Sequence, residues 1–199
     1  MPLVTLLSLC IGMTLLGAQI FLRPLLVSRI RRFYVFSFFL IGSALFYNTH
    51  LKFIERLNSP DPLSAHFLPP YQSLVYFFQQ NWNMFWIPYA ISFLVSLFFL
   101  VIVYAIPRNW RKLRLENHEP FLIALCIFLI GHPGWIFFFI VTPLLYLTYT
   151  IFLRLRTGKD LRVSFVNFWL PACLVTILIL PWLLQLPIFN ALLIFRNLG

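Results

Sequence analysis

Acidic residues are scarce in this chain: five Asp and Glu stand against fifteen Lys and Arg in 199 residues. Charge of either sign is thin, at 10% of positions, where a soluble domain carries about 25%. A soluble chain that is also 61% hydrophobic would expose broad apolar patches and aggregate. A bilayer removes that problem. The usual catalytic punctuation is missing too. There is no Gly-x-Ser-x-Gly, no His-Glu-x-x-His and no glycine-rich phosphate loop. The three cysteines, Cys10, Cys126 and Cys173, fall inside apolar runs without a Cys-x-x-Cys, and are expected to be small packing residues. Among His50, His66, His118 and His132 no two share a helix face at i, i+4, so the spacing sets up no metal site. No metal or cofactor is expected.

What the chain does have is long apolar runs, with a mean hydropathy of +0.90. Crossing the roughly 30 Å hydrocarbon layer takes about twenty apolar residues. Six spans are expected, at 3–22, 33–48, 84–106, 120–131, 135–153 and 165–186. The fold class is therefore all-α, a polytopic transmembrane helical bundle forming one integral membrane domain over 1–199. The first run is too long for a signal-peptide core and lacks a basic flank, so it is expected to stay as a span. The fourth run is short. It ends at His132-Pro133-Gly134, a turn signal that predicts a tight hairpin with the fifth. The tail 187–199 is expected at the interface.

Charge placement orients the bundle. Arg23, Arg29, Arg31 and Arg32 sit in the first connection, Arg108, Arg111, Lys112 and Arg114 in the third, and Arg154, Arg156, Lys159 and Arg162 in the fifth. The second and fourth connections are poor in net charge. Cytoplasmic loops are the basic ones. The segments 23–32, 107–119 and 154–164 are thus expected in the cytoplasm, with both termini and the loop 49–83 outside. Trp82, Trp86, Trp135 and Trp182 then fall near outer ends, Trp110 and Trp169 near inner ends, as indole rings prefer headgroup depth. Within the long loop, broken by Pro60, Pro62, Pro69 and Pro70, the stretch from Gln72 to Trp82 predicts a short interfacial helix. That loop serves either as a docking surface or as a lid on the bundle. The net charge of +10 is read as orientation in the membrane, and nucleic acid is not an expected partner.

No acidic residue lies in the confident part of a span, which argues against an ion-coupled pathway. Gln19, Asn48, Asn167 and Gln185 are the strongest polar candidates for a conduit. Pro88, Pro143, Pro171 and Pro181 fall within spans and can kink them. Glu119 is the single candidate for chemistry. It can equally be a first-turn acid favoured by the helix dipole and followed by Pro120 at a helix start.

The stretch ENHEPFLIALCIFLIG, with Glu119 opening a short run closed by Gly131, is followed by a long span, a basic loop and SFVNFWLPA, with Phe165 and Phe168. Over 116–182 this resembles the membrane core of prepilin (type IV leader) peptidases. The resemblance implies a carboxyl at position 119 acting with a second one near the inner end of an early span. Glu116 and His118 stand where that family has glycines; Ser164, Val166 and Asn167 replace its proline and glycine positions. No acid precedes Glu55. With its catalytic pattern incomplete, the layout implies a non-catalytic inner-membrane subunit of a larger assembly, of the pilus or type IV secretion kind. Its partners would be the bilayer and other membrane subunits, and its membrane a bacterial inner membrane. The alternatives are a small transporter or channel and a divergent peptidase-like intramembrane protease.

Overall fold

The computed structural model describes residues 3–58, 73–105, 118–158 and 163–185. Among them are seven α-helices, one π-helical turn and no strand: α1 (Leu3–Phe21), α2 (Arg23–Leu57), α3 (Leu74–Asn81), the π turn (Trp82–Trp86), α4 (Ile87–Ala105), α5 (Glu119–Ile130), α6 (Gly134–Thr157) and α7 (Val166–Leu183). Four of these, α1, α4, α6 and α7, are long and apolar enough to cross a membrane. The described residues are thus all-helical, with several helices of membrane-spanning length, as in an integral membrane protein.

The main difference from expectation is α2. The segment 23–32, expected as a basic connection, is helical and continuous with the expected second span, giving 35 residues. The chain breaks only at Leu22, and Pro24 stands in the first turn of the new helix, where its missing N–H costs nothing. Arg and Leu are good helix formers, so charge marks orientation here without ending the helix. The buried positions of α2 are Leu26, Ile30, Tyr34, Ser37, Ile41, Leu45 and Thr49. Their spacing of three or four makes a narrow seam along one side. Phe36, Phe39 and Phe46 lie outside that seam, exposed.

At the centre is α5. All its residues except Phe121 are buried, and it packs against α1, α2, α4, α6 and α7. A helix apolar all round is stable only when surrounded. Small residues also lie on the buried stripes of the surrounding helices: Ser8 and Gly12 on α1, with Gly12 close against Leu174 of α7, and Ser92 and Ser96 on α4, the composition that lets helices approach closely. Between α2 and α4, Ser96 Oγ donates to the Phe93 carbonyl at 2.8 Å, leaving the Tyr34 hydroxyl as donor to Ser96 Oγ at 2.7 Å. Phe38, Phe93 and Phe128 pack in one cluster of tilted and edge-to-face rings joining α2, α4 and α5.

Neighbouring elements alternate in direction. At one end, Gln19 Nε2 donates to the Val166 carbonyl, Trp169 reaches Glu119, and Arg31 and Tyr104 meet Phe121. At the other, the His132 amide donates to the Pro88 carbonyl, Trp86 Nε1 to Thr49 Oγ1, and Gly134 abuts Leu180. So α1, α4 and α6 run one way and α2, α5 and α7 the other. The α5–α6 connection is the three-residue turn Gly131–Pro133, with a cis His132–Pro133 peptide.

The short helix expected in the long loop is present as α3, capped by Ser73, whose side chain accepts from the Tyr76 amide. Phe77 of α3 is fully buried, and Arg56 of α2 donates to Gln80 Oε1 at 2.9 Å. The remainder of that loop, the expected segment 107–117 with Trp110, and the tail from 186 lie outside the described residues.

Candidate functional site

Glu119 begins α5 and Pro120 follows it in the first turn, with His118 at the N-cap position. The carboxylate therefore faces the positive end of a helix. It is 3% exposed, and Trp169 of α7 donates its indole N–H to Glu119 Oε1 at 3.4 Å. The indole is itself walled in by Phe138 at 5.8 Å and Phe165 at 5.0 Å between ring centroids. Phe165 in turn packs on Tyr146. Trp169 was expected at an interface, yet only 8% of it is exposed. A polar tip inside an apolar shell needs a partner, and Glu119 supplies it. Deeper along the same α5–α7 seam, Cys126 Sγ lies 3.7 Å from the Trp169 carbonyl and Cys173 Sγ 3.9 Å from the Cys126 carbonyl. Both thiols are free and buried, as packing residues should be, whereas Cys10 is exposed on α1.

Beside this seam, on the α2 side, the Arg31 guanidinium covers the Phe121 ring at 5.1 Å. The end of the bundle that holds Glu119 is strongly basic. Arg23, Arg29, Arg31 and Arg32 of α2 and Arg154 and Arg156 of α6 are all exposed there, and Glu119 is its one carboxylate among the described residues. The only other described acid, Glu55, pairs with Lys52 at 2.6 Å. It stands 24 residues beyond Arg31 on the same helix, which is about 36 Å along the axis.

The two helices that meet at the Gly131–Pro133 turn differ in reach. From that turn, α6 continues for 20 residues before its first basic side chain, Arg154, a rise of about 30 Å. The 12 residues of α5 rise only about 18 Å. The start of α5 at Glu119 thus sits roughly 12 Å short of the level that α6 reaches.

The four polar candidates for a conduit do not converge. Gln19 meets the α7 backbone next to Asn167 at the basic end, whereas Asn48 and Gln185 are near the opposite end. Among the described residues no group of three His, Cys, Asp or Glu could hold a metal. His118 and His132 lie at opposite ends of α5.

Two features escaped the sequence. The Tyr34–Ser96 bond was hidden because both residues look ordinary until the buried seam of α2 is known. The second is an open apolar groove of about 520 Å³ opposite the basic end, lined by Phe46, Thr49, Val75, Phe78, Gln79, Trp82 and Trp86. Trp82 and Trp86 stack there at 5.5 Å. Trp82 and Trp86 one helical turn apart was the available signal.

Comparison with family models, with characterised proteins and with solved structures gives no match to this chain. Its description therefore rests on its own geometry: an all-helical bundle, several helices of membrane-spanning length, and one buried carboxylate at a basic end.

Proposed function

We propose that this chain is a six-span integral membrane protein acting as a non-catalytic subunit of a larger membrane assembly, with both termini and the α3 end outside and the basic end in the cytoplasm. A bacterial inner membrane and an assembly of the pilus or secretion kind follow from the resemblance over 116–182. The observation that carries the non-catalytic reading is the state of Glu119, sealed at 3% exposure and held by an indole N–H. Hydrolysis by paired carboxyls needs one ionised and one protonated acid sharing a water. The other described acid is on the far end of α2, Asp61, Glu116 and Asp160 lie outside the described residues, and Glu119 itself is buried against Trp169. Alternating helix directions and the basic residues gathered at one end support the six-span orientation.

Three measurements test the proposal. Single cysteines at Asn58 and Gly158, in a chain otherwise free of cysteine, should label from opposite sides of sealed vesicles. Labelling from one side would overturn the span count. Native mass measurement after mild-detergent extraction should find the chain in stoichiometric complex with other membrane proteins. A stable lone monomer would overturn the subunit reading, and loss of pilin-like leader cleavage in Glu119→Gln would overturn the non-catalytic one.

A further inference from the structure

On α2, directly above the Arg31–Phe121 contact, lies a shallow open groove of about 450 Å³ lined by Arg31, Arg32, Val35, Phe36 and Phe39. Arg31 and Arg32 line one end of it, chiefly with their aliphatic stems, and the exposed side chains of Val35, Phe36 and Phe39 follow one and two turns further along the helix. Neither arginine has a carboxylate partner among the described residues; Arg31 has the face of Phe121. An aromatic face attracts a cation without neutralising it. Both arginines are exposed at the basic end of the bundle, where guanidinium groups beside a lipid-facing apolar strip call for an anion.

We propose that this groove is a binding site for an anionic phospholipid, with its phosphate between Arg31 and Arg32 and one acyl chain along Val35, Phe36 and Phe39. The proposal rests on the membrane reading above. Charge selects the occupant: paired guanidinium donors match phosphate oxygens in geometry as well as sign, and basic clefts on the cytoplasmic side of membrane helices bind acidic headgroups. The apolar strip that continues from the arginines excludes a free phosphate as the natural ligand, because it would leave Phe36 and Phe39 without a role.

The test uses the full chain, first in vesicles and then in nanodiscs of phosphatidylcholine with or without phosphatidylglycerol. Retention in vesicles after alkaline carbonate comes first; extraction would refute the membrane reading itself. Lipid adducts are then counted by native mass spectrometry. Phosphatidylglycerol should be retained selectively, and Arg31→Gln with Arg32→Gln should weaken it by about thirtyfold, taking each arginine at its usual contribution near an acidic surface. Phe36→Ala with Phe39→Ala should weaken it too, and inorganic phosphate should not displace it. Arg154→Gln with Arg156→Gln, on the same side of the bundle, should change it less than about twofold. Helix content by circular dichroism confirms folding, and Arg31→Lys with Arg32→Lys, which keeps the charge and loses the paired donors, should bind between the original and the glutamine pair. The site is overturned by a carbonate-resistant chain whose glutamine pair binds like the original. Equal loss in the Arg154 and Arg156 variant overturns it as well, as does retention of phosphatidylcholine to the same extent or displacement by inorganic phosphate.

Discussion

Replacing Gly131 by alanine should destabilise the bundle, although the added methyl group has room. Gly131 has φ 77° and ψ 164°, a region that is essentially glycine-only. A Cβ built there would meet the Tyr89 ring at 3.6 to 4.0 Å, ordinary van der Waals contact. The cost is therefore backbone strain, about 1–3 kcal/mol, offset by about 0.4–1 kcal/mol from the stiffer unfolded chain. The net loss is roughly 1–2 kcal/mol. Gly17, inside α1, is the matched control, since its Cβ would meet nothing within 4 Å. Alanine there should leave stability unchanged or raise it by up to about 1 kcal/mol. Unfolding in mixed detergent micelles, followed by tryptophan fluorescence, ranks the two variants against the original chain. The reasoning fails if Gly131→Ala is as stable as the original, because the turn would then not require the backbone conformation that anchors His132 to Pro88.

Gly134→Ala should cost more than Gly131→Ala, because its Cβ would collide with Ile130 Cγ2 and lie 3.1 Å from Leu180; thermal scans in detergent read this directly. Trp169→Phe removes one indole donor from buried Glu119 and should cost about 1–3 kcal/mol, read from the same thermal scans. Ser96→Ala should destabilise more than Tyr34→Phe, since it strands the Tyr34 hydroxyl, at about 1–3 kcal/mol, against about 0.5–1.5 kcal/mol for losing the donor. A double-mutant cycle separates the pair energy from the packing.

The apolar elements were legible because lipid-length runs leave a strong trace. The expected spans 3–22, 84–106, 120–131, 135–153 and 165–186 each correspond to a helix within a few residues at either end. The hidden part was α2. Arg29, Arg31 and Arg32 suggested a loop, yet hydropathy records transfer to lipid, while helix continuity is decided by backbone bonding and by the seam from Leu26 to Thr49. Glu119 was legible as a first-turn acid. Its burial was not, because a lone carboxyl before an apolar run looks the same at an interface or beneath one. Trp169 misled for a related reason: an indole near a span end satisfies its N–H equally with water or with a carboxylate 50 positions earlier in sequence.

The enclosure of α5 has a mechanical consequence. A helix that touches lipid must match the thickness of the layer around it, by tilting or by deforming that layer. A helix wrapped on every side by protein is released from this requirement. Its length is set by the neighbours it fills, and α5 keeps 12 residues where α6 runs to 24. When the surrounding bilayer thickens or thins, the outer helices must adjust while α5 stays in register with them only through its side-chain contacts. The Phe38–Phe93–Phe128 cluster and the Cys126–Cys173 contact are the points at which such sliding would first be resisted.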